Sequence, residues 1–328
     1  MKKKVAIIGA GFSGSIIAQR LCKGGLAVTV FEKSRGSGGR LSSNKSLDIS
    51  FDLGLPYFES NNLDFTNWLT QQPSIQMWKT TQRNFLPQKN YQHKNYYVAT
   101  PRQSALTRQL IDEADFRPNC KVKTITEHNG QFHITSDTDI DLGYFDSVII
   151  TAPARQTFDL LTSLVFQHPT NNHLGNIATL TKSLTYSSSW VLVIKTLATK
   201  EADVLLGDHP ILARCVRQSA KPDRLSDSKF DIWTIEANQQ WSEENIEPAN
   251  QQVLITQAFL KTVSTEIVET IKLHRWLYAQ HTGTNQKYLW DKECKLGCSS
   301  DWLSKTGALE ELWAKANLLS DRIIKDLG

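Results

Sequence analysis

Apolar and polar positions along this chain follow two periods, one of strands and one of helices. Lys4-Val5-Ala6-Ile7-Ile8 is a short apolar run of strand type that leads directly into Gly9-Ala10-Gly11-Phe12-Ser13-Gly14. The apolar period from Ser15 to Lys23 predicts a helix, and Val28-Thr29-Val30-Phe31 predicts a second strand ending at Glu32. Gln71 to Tyr97, polar and aromatic with Pro73 and Pro87 as breakers, reads as strands or loops. Ser104 to Glu113 reads as a helix with Ala105, Leu106, Leu110 and Ile111 on one face. Val122 to Ile125 and Phe132 to Ile134 alternate like antiparallel strands, and Val148 to Ile150 is another apolar run. Further strands are expected at Ser189 to Ile194, Val204 to Leu206, Phe230 to Ile235 and Lys295 to Ser299. Helices are expected from about Ala249 to Val263 and from about Gly307 to Lys325.

The first forty residues carry the most specific chemistry. A G-x-G-x-x-G turn between a strand and a helix, with an acid about 20 residues on, is the arrangement a dinucleotide fold requires. Gly9 lets the chain turn sharply, Gly11 lets a pyrophosphate approach the backbone, and Gly14 lets helix pack on strand. The helix N-terminus at Phe12 and Ser13 offers N–H groups and a dipole that favour negative charge. Glu32 would accept from the adenosine ribose hydroxyls, and its charge disfavours a 2′-phosphate, hence NADP, at this site. The basic, glycine-rich Lys33-Ser34-Arg35-Gly36-Ser37-Gly38-Gly39-Arg40 follows. A plain NAD dehydrogenase has no need of it, whereas FAD needs its pyrophosphate covered from both sides. Lys33, Gly39 and Arg40 are therefore candidate cofactor contacts, Arg40 as a forked donor.

Composition narrows the classes. A chain of 328 residues permits two domains large enough to bury such a cofactor. The net charge of +4 is modest and, apart from Lys2-Lys3-Lys4, the basic residues are scattered, so nucleic acid is not an expected partner. Five cysteines without a C-x-x-C suggest a reducing compartment and no disulfide framework. Cys294 and Cys298 have the spacing to share a helix face but make a poor metal site, so no metal is expected. The N-terminal apolar run is too short for a signal peptide or a spanning helix, and a cytoplasmic location without membrane contact is expected. The oligomeric state is not legible.

E-K-S-R-G-x-G-G-R, followed by Phe51-Asp52-Leu53-Gly54-Leu55-Pro56-Tyr57-Phe58, resembles the renalase-like flavoproteins of the FAD-dependent amine-oxidase superfamily. The resemblance continues at Val148 to Ala154, at His274-Arg275-Trp276-Leu277-Tyr278-Ala279 and at Ser300-Asp301-Trp302. It implies an α/β fold: a Rossmann-type FAD-binding domain (1–70, 98–160 and 274–328) with an inserted α+β substrate domain (71–97 and 161–273), as in two-domain flavoprotein oxidases. Substrate would bind between the two.

The resemblance further implies that main chain at Val122 holds adenine, that Asp301 accepts from the ribityl chain, and that the helix starting near Leu309 faces the flavin pyrimidine. Four positions depart from the family pattern: Arg102 in its P-G-M loop, Glu236 for a histidine, Ser300 for glycine, and Glu311 where close backbone approach is expected. A carboxylate at Glu236 near the flavin would oppose an anionic reduced ring.

The implied reaction is hydride transfer from a dihydropyridine, an isomeric NAD(P)H, to flavin, with dioxygen as acceptor. The alternatives are a flavin amine oxidase or dehydrogenase of another small substrate, and a non-catalytic FAD- or nucleotide-binding protein. Such a reaction needs a flat, dry slot, for which Tyr57, Phe58, Trp233, Trp276 and Tyr278 are candidates, with Arg217 or Arg275 meeting a substrate anion. Tyr57, Trp276, Glu236 and Arg217 are the candidate catalytic residues. His274 is expected to be a structural hydrogen-bonder.

Overall fold

Lys4–Ile8 forms the middle of a six-stranded sheet, buried on both faces by its unbroken apolar run. The computed structural model describes residues 2–46, 49–85, 91–164, 179–224, 227–247, 249–281, 283–284 and 286–328. The chain gathers into two compact units: Met1–Gly39, Thr107–Thr185 and His281–Gly328 in one, Arg40–Leu106 and Tyr186–Gln280 in the other.

In the first unit the sheet runs in the order Leu289–Asp291, Leu296–Cys298, Ser147–Ile150, Lys4–Ile8, Ala27–Phe31, Asp115–Arg117. All neighbours are parallel except the edge strand Leu289–Asp291. Helix Phe12–Lys23 starts three residues before its apolar period, directly at Gly11. It lies beside the C-terminal helix Leu309–Leu327, where Arg20 pairs with Asp321 and a Cβ at Gly24 would sit 2.8 Å from Ile324. A separate three-stranded antiparallel sheet joins Val122–His128, Gln131–Ser136 and Asp141–Phe145. Asn129 (φ 51°) and Gly130 (φ 78°) turn its first hairpin, the residue pair such a two-residue turn favours.

The second unit is built on a seven-stranded mixed sheet, ordered Ile267–His281, Tyr186–Leu197, Phe230–Ala237, Leu212–Arg217, Val204–Leu206, Ile75–Asn84, Gln92–Ala99. Strand alternation sends Leu192 and Ile194 to one face, where they pack with Trp233, Ile255 and Phe259, the last two from helix Gln251–Thr262. Val191 and Val193 point to the other face and meet Phe51, Leu53 and Ile232.

Three expectations change. Residues 40–70 and 98–106 belong with the second unit, because Phe51 and Leu53 bury against its sheet and Gln92–Ala99 pairs with Ile75–Asn84. Residues 274–280 join them as part of edge strand Ile267–His281, whereas the described residues of 161–185 stay with the first unit. Cys294 and Cys298 share no helix: Lys295, at φ 55°, turns the chain between them and Cys298 ends a strand. Among the described residues, no helix is long and apolar enough to cross a membrane.

The Trp233 indole is fully buried and 5.4 Å from the Phe259 ring. Trp233→Ala is expected to cost about 3–5 kcal/mol of folding stability, read as a lower urea midpoint with an unchanged slope.

Candidate functional site

In the first unit the glycines bring main chain close to main chain. Gly9 adopts φ +111°, and a Cβ on Gly14 would lie 2.1 Å from the Gly9 carbonyl oxygen and 2.7 Å from Thr151 Oγ1. Thr151 Oγ1 is directed at the same turn, bonding to the Ile8 and Gly9 carbonyls at 3.1 and 2.9 Å. Gly11 differs, since a Cβ there would have no heavy atom within 4 Å. The following helix has no side-chain cap at Gly11 and no acid in its first turn, which suits an anion.

The second glycine segment lies against the first. Gly38 N–H donates to the Ala10 carbonyl at 2.8 Å, and a Cβ on Gly39 would be 3.2 Å from Gly11 Cα. Phe12 and Ser13 are buried at the helix start. Glu32 directly follows strand Ala27–Phe31 and is pinned at both oxygens. Oε2 accepts from Ala10 N–H at 2.9 Å and Oε1 from Ser34 N–H at 2.8 Å. Each carboxylate oxygen has a further lone pair for a ribose hydroxyl. Lys33 is exposed, and Val122 is the buried first residue of its strand.

Toward the C-terminus, Asp301 is 3% exposed, with Oδ1 accepting from Ser300 Oγ at 2.8 Å and Oδ2 3.2 Å from His281 Nε2. Ser300, the residue in place of glycine, thus holds this carboxylate. Glu311 accepts from Ser304 Oγ, which in turn accepts from Gly307 N–H at 2.9 Å. It therefore closes the turn before Leu309. Arg40 opens the second unit.

The second unit changes several expected roles. The Tyr57 ring stacks on Tyr96 at 3.9 Å and lies 6.4 Å from Trp78, with the Arg214 guanidinium 5.5 Å over it. Phe58 and Trp233 are core residues. Glu236 is not an isolated carboxylate: Arg214, opposite it on the neighbouring strand, donates at 2.6 Å and neutralises it. Burial acts against the Arg214 charge, but Glu236 and Tyr57 more than offset this and hold its pKa above the ordinary value.

Arg217 cannot meet a substrate anion as expected, because it pairs with Asp203 and Asp231 and donates to the Thr199 carbonyl at 3.0 Å. Arg275 donates to the Ile246 carbonyl and its guanidinium lies 5.5 Å from the centre of the Trp190 ring. Trp276 Nε1 donates to the Leu53 carbonyl at 2.9 Å, and Tyr278 packs edge-on against Tyr186. His274 is not the expected hydrogen-bonder at Nε2, which is buried without a partner among the described residues; its ring stands edge-on to Trp276, and burial lowers its pKa.

A cluster missed in the sequence is centred on fully buried Asp52. Its Oδ2 accepts from Lys221 Nζ and Arg224 Nη2, both at 2.7 Å. Its Oδ1 accepts from Ser43 Oγ at 2.7 Å and Gln103 N–H at 3.0 Å. Lys221 also donates to the Pro56 carbonyl at 2.6 Å, which fixes the loop before Tyr57. Gln103 is thus a buttress, while Arg102 beside it is exposed. Burial would raise the Asp52 pKa, but Lys221 and Arg224 outweigh it and hold the carboxyl low. Burial pushes Lys221 down to about 8 against the pull of Asp52. The available signal was Lys221-Pro222-Asp223-Arg224, two cations spaced by a proline turn.

Residues 7–71 match the model of an NAD(P)-binding Rossmann-like domain. A 51-residue stretch is 43% identical to 4,4'-diapophytoene desaturase (4,4'-diaponeurosporene-forming) of Staphylococcus aureus, covering 16% of this chain. The match spans about a tenth of the length of that curated relative. An oxidoreductase from Methanosarcina mazei superposes over 97% of this chain and 100% of its own (TM-score 0.73, 12% identity). Cyclohexylamine oxidase from Brevibacterium oxydans does so over 100% of both (0.71, 11%). A CLA-producing fatty acid isomerase from P. acnes does so over 98% of both (0.70, 12%). The chain has their fold.

In the folded protein Lys221 titrates near 8, against an ordinary value of 10.5. Between these values the unfolded chain retains a proton that the folded chain has lost, so this group makes stability rise with pH. The stability of wild type minus that of Lys221→Met is expected to increase from about pH 8 to about pH 9.5. Urea unfolding at each pH measures it, and a flat difference would contradict the assignment.

Proposed function

We propose that this protein is an FAD-dependent oxidoreductase that takes hydride from a small organic donor. The observation that carries the reading is the docking of Gly38 and Gly39 on the Gly9 to Gly14 turn, with Glu32 pinned to that turn at Ala10. Gly9, Gly11, Gly14 and the N–H groups at Phe12 and Ser13 would hold the pyrophosphate. Glu32 would hold the ribose, Val122 main chain the adenine, and Asp301 the ribityl chain, with the helix start at Leu309 near the pyrimidine. Bound FAD supplies the electron-accepting chemistry. Superposition on cyclohexylamine oxidase along the whole chain supports the same reading.

The finer proposal is a renalase-like reaction. A dihydropyridine isomer of NAD(P)H loses hydride and becomes the aromatic pyridinium, and dioxygen takes up the electrons as hydrogen peroxide. Charge in the second unit favours this donor over a cationic amine. Asp52 is outnumbered by two cations, Glu236 is paired with Arg214, and Asp203 and Asp231 are paired with Arg217. An ammonium group would therefore compete with resident cations for each of these carboxylates.

Purified protein is expected to be yellow. Gly11→Trp and Glu32→Leu are each expected to lose most of the flavin absorbance after dialysis while keeping the far-UV spectrum of the fold. Retention of undiminished flavin in both would overturn the cofactor site. With wild type, anaerobic bleaching by dihydropyridines but not by putrescine or cyclohexylamine is expected. Bleaching by the amines alone would reverse the substrate assignment.

A further inference from the structure

We propose that Arg224, together with Gln218 and Lys221, forms a buried receptor for a carboxylate group of a small ligand. The receptor consists of second-unit residues alone and does not depend on the flavin reading. Asp52 takes a single bond from Arg224, through Nη2. Arg224 Nε and Nη1 are shielded from solvent and have no hydrogen-bond partner among the described residues, and the side chain is only 2% exposed. The Gln218 Nε2 amide is in the same state, while its Oε1 accepts from Asp52 N–H at 3.3 Å. The three orphaned donors thus belong to two residues that both bond to Asp52, Arg224 at its carboxylate and Gln218 at its peptide N–H.

Charge points the same way. Lys221 and Arg224 carry two positive charges against the single negative charge of Asp52, and both cations have side chains at most 2% exposed. A buried net charge of one is costly without a counter-ion, and unpaired buried N–H donors add to that cost. A carboxylate brings one negative charge and only acceptor atoms, so it answers both deficits. A phosphate would overshoot the charge, carrying about −1.5 to −2 near neutral pH. Arg217 and Arg275, the cations expected to meet a substrate anion, are already engaged, whereas Arg224 retains unused donors.

The probe is sodium acetate, titrated at constant ionic strength against sodium chloride, with thermal unfolding and calorimetric heat as readouts on the protein as purified. Neither readout requires turnover or flavin reduction. Wild type is expected to show saturable stabilisation by acetate that chloride does not reproduce. Arg224→Lys keeps a cation beside Asp52 but removes the unused guanidinium donors, and is expected to bind acetate about 10-fold more weakly or worse. Gln218→Leu serves as a second variant, expected to weaken acetate binding in the same direction if Arg224→Lys does not fold. Absence of an acetate-specific effect in wild type would overturn the proposal. Equal acetate affinity in wild type and the folded variants would do the same, as would tighter binding of inorganic phosphate than of acetate.

Discussion

A fully buried carboxylate organises the second unit. Asp52 receives bonds from Ser43, Gln103, Lys221 and Arg224, and its carbonyl accepts from Thr234 Oγ1 at 3.2 Å. Those partners come from four separated stretches of chain. An ionised group in such surroundings is tolerated only when its lone pairs are filled and its charge is met. The stretches must therefore arrive together. The loop after Asp52 also passes close to main chain, since a Cβ at Gly54 would lie 1.9 Å from the Arg40 carbonyl oxygen. Lys221 ties that loop down at Pro56, and Tyr57 follows directly into its aromatic stack.

The first unit rests on closeness of main chain rather than on charge. A side chain would prevent the contact of Gly14 with Gly9 and would crowd that of Gly39 with Gly11. These contacts create a surface of backbone donors whose sign suits an anion. Two different physical means thus hold the two units: close main-chain packing permitted by missing side chains in one, and formal charges confined by burial in the other.

The local patterns were legible. The glycine turn, the strands on either side of its helix, and the antiparallel pair at Val122 to Ile125 and Phe132 to Ile134 all follow from residues within a few positions of one another. The charged clusters were not, because each joins residues far apart in sequence. Nothing near Arg217 announces that Asp203 and Asp231 will occupy it, and nothing near Glu236 announces Arg214. Glu236 therefore read as an uncompensated charge when it is half of a pair. The unit boundary at Gly39 was hidden for a related reason. Residues 40–70 follow the nucleotide turn in sequence, but their apolar residues Phe51 and Leu53 find their partners on the sheet of the second unit.

Glu32 has a consequence for cofactor engineering. Its two oxygens also serve as acceptors for the peptide groups of Ala10 and Ser34, so the carboxylate is a brace between two loops as well as a candidate sugar contact. Exchanging it for a neutral or basic residue to admit a phosphorylated ribose would strand both donors and loosen the turn meant to receive the new ligand. Altered nucleotide preference in this scaffold would have to be built with a replacement acceptor for each peptide group, not by a single exchange.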